Sequence, residues 1–165
     1  MFENNYKFGL GGFVEGEGFL TISIVKNDKV SHDILLQAEF NIAQHKNGLK
    51  ILKDFNIFFN NKGQIHKKSG STNVWVYNLK GINNLNDYLI PFFLEYIIPY
   101  SSKYKNEKFK KFLFILNNLK EKSKFEKKEF INIVKLIYDL YPDGKGKRRK
   151  RTLSDILSII EEKKY

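Results

Sequence analysis

The chain has 165 residues, with 29 Lys and Arg against 18 Asp and Glu for a net charge of +11; it is long enough to bury a core of its own. Without cysteine and with three scattered histidines, it excludes a disulfide framework, a thiolate-ligated zinc and a histidine-built zinc site, so any metal must be held by oxygen. Apolar stretches such as residues 90–93 and 97–98 fall far short of the roughly 18 residues that span a bilayer, and residues 1–6 carry neither an apolar signal core nor an Arg-rich amphipathic pattern, so a soluble protein acting where it is translated is expected.

Tyr6 to Glu15 reads as a helix despite Gly9, Gly11 and Gly12, each costing about 1 kcal/mol against alanine, so packing must offset them. Phe19 to Lys26 alternates, with Leu20, Ile22 and Ile24 on one face and Phe19, Thr21, Ser23 and Val25 on the other. Leu35 to Gln44 repeats the pattern, with Leu36, Ala38, Phe40 and Ile42 against Leu35, Gln37, Glu39, Asn41 and Ala43. The polar connection through Asn27, Asp28, Lys29, Ser31, His32 and Asp33 makes these two strands a hairpin. Asn47 to Phe59 is helical by its Leu49, Leu52, Phe55 and Phe59 spacing. Gly63 to Lys68 and Asn73 to Leu79 form a second hairpin, with Val74 and Val76 on one face and Asn73, Trp75 and Tyr77 on the other. Helices follow over Ile82 to Tyr96, tolerating Pro91, then Ser102 to Asn118 and Glu126 to Leu140. A basic loop, Asp143 to Arg151, precedes a short capped amphipathic helix between Thr152 and Ile160.

Four antiparallel strands with helices on one face make an α+β fold. No repeat or linker interrupts it, so a single domain over residues 1–165 is expected, with a core at about 5–120 and a helical extension over 121–165. A pI near 9.6 points to a polyphosphate partner, nucleic acid ahead of an anionic membrane surface. Only Arg148, Arg149 and Arg151 are arginines, and the richness in Lys, Asn, Ile, Phe and Tyr suits an A/T-rich organellar or bacterial genome. The outward face, carrying Thr21, Ser23, Gln37, Glu39, Asn41, His66, Lys68 and Asn73, can donate and accept hydrogen bonds as base-edge reading requires. Polar residues also alternate on any one-sided sheet.

The most informative segment is Leu10-Gly11-Gly12-Phe13-Val14-Glu15-Gly16-Glu17-Gly18. Its glycines leave one side of a helix bare for close approach of another backbone, and its two carboxylates stand where that helix meets the first strand. Carboxylates are hard oxygen ligands suited to Mg²⁺. The Glu-Gly-Glu-Gly end also fits a plain helix C-terminus closed by a left-handed glycine.

This segment resembles the motif of the LAGLIDADG homing endonucleases, with Gly11 for the Ala, Phe13-Val14 for the Leu-Ile pair and Glu for both Asp. The α-β-β-α-β-β-α order, the phrase Phe40-Asn41-Ile42-Ala43-Gln44 before a helix, a Lys in Ser101-Ser102-Lys103-Tyr104-Lys105, and the ending from Gly144 to Leu153 extend the resemblance. It implies a saddle-shaped sheet and a site-specific double-strand DNA endonuclease of a mobile intron. With one motif, it implies a homodimer whose interface helix carries Phe8, Gly9, Gly11, Gly12, Phe13 and Gly16.

In that family the second acid, here Glu17, and the preceding carbonyl, here of Gly16, bind divalent metal, so Mg²⁺ is implied, with Mn²⁺ or Ca²⁺ as substitutes. The metal would activate water and stabilise the leaving 3′ oxygen. Glu15 would end the helix, Gln44 would position the attacking water, and Lys103, with Lys105 as its rival, would stabilise transition-state charge. The sheet would read double-stranded DNA through Thr21, Ser23, Lys26, Gln37, Glu39, Asn41, His66, Lys68, Asn73, Trp75 and Tyr77, and Lys147, Arg148, Arg149 and Arg151 would meet the backbone. Glu39 suits a cytosine amine or a neighbouring Lys equally. A strand of about nine residues at roughly 3.3 Å each covers about nine base pairs, so a dimer would read a pseudo-palindrome of roughly twenty. An intron maturase bound to its own intron RNA, or an inactive nucleic-acid-binding relative, keeps the same fold, but the intact Glu17 favours cutting. No membrane partner is expected. Expression in a mitochondrion or chloroplast follows from composition and family habit, with a bacterial cytoplasm as the alternative.

Overall fold

The computed structural model describes residues 2–121, 125–141 and 151–162. In chain order its elements are α1 (Asn4–Glu17), β1 (Gly18–Lys26), β2 (Ile34–His45), α2 (Leu49–Phe58), β3 (Gln64–Lys67), β4 (Val74–Lys80), α3 (Ile82–Asn84), α4 (Ile90–Tyr96), α5 (Lys103–Glu121), α6 (Lys127–Leu140) and α7 (Leu153–Glu162). The strands form one sheet in the order β1-β2-β4-β3, the expected α+β arrangement. Packing contacts divide the chain into two compact units, Met1–Thr21 with Ala38–Asn106, and Ile22–Gln37 with Glu107–Tyr165. In the second unit the tip of the first hairpin finds its apolar partners among the C-terminal helices.

In the first unit, α1 reaches two residues beyond its expected end. Its glycines serve two purposes. A Cβ on Gly11 would lie 2.5 Å from the Tyr96 carbonyl oxygen, so this buried glycine lets α1 approach α4 within the chain. Gly9, Gly12 and Gly16 have nothing within 4 Å of a built Cβ. The core is aromatic: Phe40, Phe55, Phe59 and Tyr77 are fully buried and Phe92 nearly so. Phe59 lies 6.1 Å from Phe55, 6.2 Å from Tyr77 and 5.6 Å from Phe92, ring centre to ring centre. The helix expected over Ile82 to Tyr96 is interrupted by a π-turn, Leu85–Leu89. Pro91, in the first turn of α4, lacks an amide hydrogen and its ring crowds the carbonyl one turn earlier, which the widened turn accommodates.

The second unit contains a mainly aliphatic cluster. Ile34, Phe130, Val134, Ile156 and Ile160 form its buried centre, with Ile24 and Leu36 of the hairpin and Leu153 and Ile159 of α7 against it. His32, expected in a polar connection, is 4 % exposed. Its ring stacks on Phe130 at 4.5 Å, and its Nε2 donates to the Phe125 carbonyl at 2.9 Å, which fixes the proton on that nitrogen. His32 and Asp33 both take left-handed backbone angles, with φ of 63° and 56°. The expected cap of α7 is Thr152, whose hydroxyl accepts from the Asp155 amide at 3.2 Å while the Asp155 carboxylate accepts from the Thr152 amide at 2.7 Å. These bonds lower the pKa of Asp155.

Strand register corrects one expectation. β2 and β4 pair Phe40 with Leu79, Ile42 with Tyr77 and Gln44 with Trp75 on the core face, and Glu39 with Lys80, Asn41 with Asn78 and Ala43 with Val76 on the other. Tyr77 therefore points into the core, where it is fully buried, and Trp75 shares its parity. Tyr77 and Trp75 do not belong to the outward polar face, and Asn73 is exposed just before the strand. The valines had suggested the opposite phase, but Trp75, Tyr77 and Leu79 are the larger apolar set, and burying rings outweighs burying two valines.

Candidate active site and nucleic-acid face

The end of α1 is built from two carboxylates in different circumstances. Glu15 does not end the helix, which runs on to Glu17. One oxygen of Glu15 accepts from the Ser101 hydroxyl at 2.7 Å and the other lies 3.1 Å from the Lys105 ammonium, which also donates to the Glu15 carbonyl. Glu15 thus ties α1 to the start of α5. Glu17 is exposed and makes no hydrogen bond or ion pair among the described residues. Gly18 is extended, with φ of −77° and ψ of 141°, so a left-handed glycine does not close the helix. It is glycine for space: a Cβ there would lie 2.6 Å from a Val14 methyl and 2.7 Å from the Val14 carbonyl oxygen.

This terminus is electrically suited to a cation. A helix C-terminus carries partial negative charge, its last turn holds no basic residue, and Glu17 adds a full charge. Lys105 neutralises Glu15, which leaves Glu17 and the Gly16 carbonyl as hard oxygen donors for a divalent ion such as Mg²⁺. Among the described residues no group of three or more His, Cys, Asp or Glu could hold a metal. A hexacoordinate ion would need further oxygens from substrate, water or a second copy.

The two candidate lysines are placed differently. Lys105 reaches the acidic segment, while Lys103 is exposed in the first turn of α5 and makes no described contact with it. Gln44 is half-buried on the core face, its amide beside Gly48, and it shares no hydrogen bond with Glu17. Of the expected interface residues, Gly9, Gly12 and Gly16 form an open stripe at helical spacing, and Phe8 is 38 % exposed beside Tyr96 and Tyr100. Gly11 and Phe13 depart from that expectation. Gly11 is covered by Tyr96, and Phe13 packs 6.2 Å from Phe55, because these positions turn toward the chain's own core.

In the first unit, Thr21 is half-buried at the end of its first segment. There the outward face also carries Glu39, Asn41, His66 and Lys68. His66 opposes Val76, and the Lys68 amide bonds the Val74 carbonyl, which keeps Lys68 in the same phase. Glu39, whose side chain is 19 % exposed, lies 3.4 Å from the Lys80 ammonium. Asn78 shares the parity of Val74 and Val76, so the phase that turns the valines inward hides it, and Lys80 lies one residue beyond the strand expected to close at Leu79. Asn78 is 5 % exposed and donates to Glu39 at 2.8 Å and to Asn41 at 2.6 Å. In the second unit, Ser23 is half-buried and Gln37 exposed, with Lys26 exposed at the end of β1 on the parity of Ile22 and Ile24. The exposed Arg151 accepts from the Tyr138 hydroxyl through its carbonyl at 2.8 Å. Lys147, Arg148 and Arg149 lie outside the described residues. No helix among the described residues is long and apolar enough to cross a membrane.

The chain's residues 10–116 match the family profile described as LAGLIDADG endonuclease. DNA endonuclease I-CeuI of Chlamydomonas moewusii is 31 % identical over 134 residues, 81 % of this chain; the chain spans 61 % of that relative's length. The solved group I intron-encoded homing endonuclease I-CeuI complexed with DNA superposes with a TM-score of 0.88 at 25 % identity, covering 97 % of this chain and 78 % of the other. The archaeal intron-encoded homing endonuclease I-Vdi141I complexed with DNA gives 0.84 at 30 % identity, covering 97 % and 98 %. With its motif at the junction of α1 and β1, this chain belongs to the LAGLIDADG endonuclease family.

Proposed function

We propose that two copies of this chain form a site-specific, divalent-metal-dependent homing endonuclease of a mobile intron, cutting both strands of a pseudo-palindromic DNA target of roughly twenty base pairs. The observation that carries this reading is the unpartnered Glu17 beside a neutralised Glu15 at the end of the family's motif helix. Related proteins bound to DNA support the substrate. Glu17 and the Gly16 carbonyl would hold the metal. When bound, it supplies Lewis acidity for activating water and stabilising the leaving oxygen. Lys105 is the lysine we assign to the site; its ammonium can swing from Glu15 toward a phosphate without leaving the acidic segment. The stripe of Gly9, Gly12 and Gly16 supplies the helix face that a second copy would cover. The charge of +11 per chain makes binding steeply salt-dependent.

The test is incubation with the intronless allele of the host gene, with Mg²⁺ or EDTA, beside Glu17→Gln. Metal-dependent cutting of both strands at one site, absent from the variant while DNA binding persists, is expected. Undiminished cutting by Glu17→Gln would remove the metal role. Tight, salt-sensitive binding to the intron RNA with no DNA cutting would replace the nuclease with a maturase. Gly12→Leu tests the dimer separately, because a Cβ there meets nothing in the chain and the fold should survive. Sedimentation should give a monomer; an unchanged dimer would place the interface elsewhere.

A further inference from the structure

We propose that Asn78 is a positioning residue for sequence recognition, locking Asn41 so that this part of the sheet face presents only hydrogen-bond donors to a base pair. The inference rests on the DNA-binding reading above. Its starting point is Glu39, an ionised carboxylate that only accepts. Asn78 must therefore turn its amide nitrogen toward Glu39, and that nitrogen lies 2.8 Å from Glu39 Oε2. The same nitrogen has one more hydrogen, directed to Asn41 Oδ1 at 2.6 Å. A chain of obligatory polarity thus runs from the carboxylate through Asn78 to Asn41, so the orientation of both amides follows from chemistry.

The consequence is the group Asn41 has left. Its carbonyl faces inward on Asn78, so its NH₂ is what it can offer a groove. Lys80, paired with Asn41's neighbour in the strand, adds an ammonium 3.4 Å from Glu39 that is 62 % exposed. Glu39, held by Asn78 and Lys80 and only 19 % exposed, is a support rather than a reader of a cytosine amine. Two outward donors match the O6 and N7 acceptors of guanine. The usual bidentate reading of adenine by asparagine needs the Asn41 carbonyl, which is already engaged. Asn78 is 5 % exposed, and losing its hydrogen bonds would free the Asn41 amide to turn.

The experiment is selection of bound duplexes from a library randomised one position at a time around the cleavage target, with Asn41→Ala locating the base pair concerned. Wild-type protein should prefer guanine over adenine there. Asn78→Leu, of similar size but without a donor, should lower that preference about tenfold at this pair and leave the others unchanged. Asn41→Asp should turn it toward cytosine or adenine, since Asn78 would hold one carboxylate oxygen and the other would face out. Asn41→Asp alters a partly exposed side chain, so it stands if Asn78→Leu fails to fold. A wild-type preference for adenine, an Asn78→Leu profile identical to wild type, or a uniform loss at every position would overturn the positioning role. Wild-type protein without sequence selectivity on duplex DNA would overturn the endonuclease reading as well.

Discussion

One unit of the molecule packs mainly rings, and in the other the cluster that holds the hairpin tip packs mainly aliphatic chains. Around Phe59 lie Phe40, Phe55, Tyr77 and Phe92, whereas Ile34, Val134, Ile156 and Ile160 pack with the ring of Phe130. Their polar groups differ in the same way. The aromatic unit holds Asp54 in a cluster with Lys50 and Tyr6, and Asn78 in a network with Glu39, Asn41 and Lys80. The aliphatic unit buries His32 on a backbone carbonyl and a ring. The motif-bearing unit thus buries side-chain networks, whereas the other holds the hairpin tip by apolar packing and the His32–Phe125 hydrogen bond. Truncation should show the difference most strongly. Phe59→Ala should cost about 4 kcal/mol and Ile160→Ala about 3 kcal/mol in urea unfolding, both sites being fully buried. Equal losses would mean that the two cores differ in composition without differing in energetic weight.

Within the motif-bearing unit the same comparison separates two lysines two residues apart. Lys105→Met should slow cleavage about a hundredfold, and Lys103→Met should stay within about threefold of wild type, measured on linear target DNA under single turnover. The Lys105–Glu15 pair is itself partly exposed, with side-chain exposures of 46 % and 34 %, so melting should barely change in either variant. A larger loss from Lys103→Met would return the site to the lysine the sequence favoured.

Element order was legible in the sequence because alternation and helical spacing are strong signals over long segments. The motif was legible because nine consecutive residues carry it. The phase of β4 was not, since Val74 and Val76 compete with Trp75 and Tyr77 for the interior and only Asn78 and Lys80, at its far end, break the tie. His32 looked like a turn residue because its polarity says nothing of the Phe125 carbonyl, 93 residues away in the chain, that satisfies it. Lys105 and Lys103 are indistinguishable by spacing, and only the placement of α5 against Glu15 separates them.

The polar cluster at Asp54 gives the motif-bearing unit a dependence on pH. Burial would raise the Asp54 pKa, but hydrogen bonds from Lys50, at 2.7 Å, and Tyr6, together with the Lys50 charge, outweigh it and hold the carboxyl below its ordinary 3.8. The bond to Asp54 in turn raises the Tyr6 phenol. A depressed folded-state value stabilises the protein above the unfolded pKa, and that contribution disappears as pH falls through the folded value. Stability measured in urea should therefore decline below about pH 4. Asp54→Asn should remove this part of the decline; an unchanged acid limb would show that other carboxyls set it.

The smallest expected effect tests the phase of β4 directly. Tyr77 is fully buried, burial pushes its phenol pKa up, and its hydroxyl has no hydrogen-bond partner among the described residues. A side chain at Gly63 would run into its ring and hydroxyl, so the ring is enclosed by the chain itself. Tyr77→Phe removes an unsatisfied polar atom and keeps the packing, so stability should be unchanged or higher by up to about 1 kcal/mol. DNA affinity and base preference should remain those of wild type in the same selection. A base-reading phenol would instead lose about tenfold at one base pair, and that result would turn β4 over and move Asn78 off the reading face.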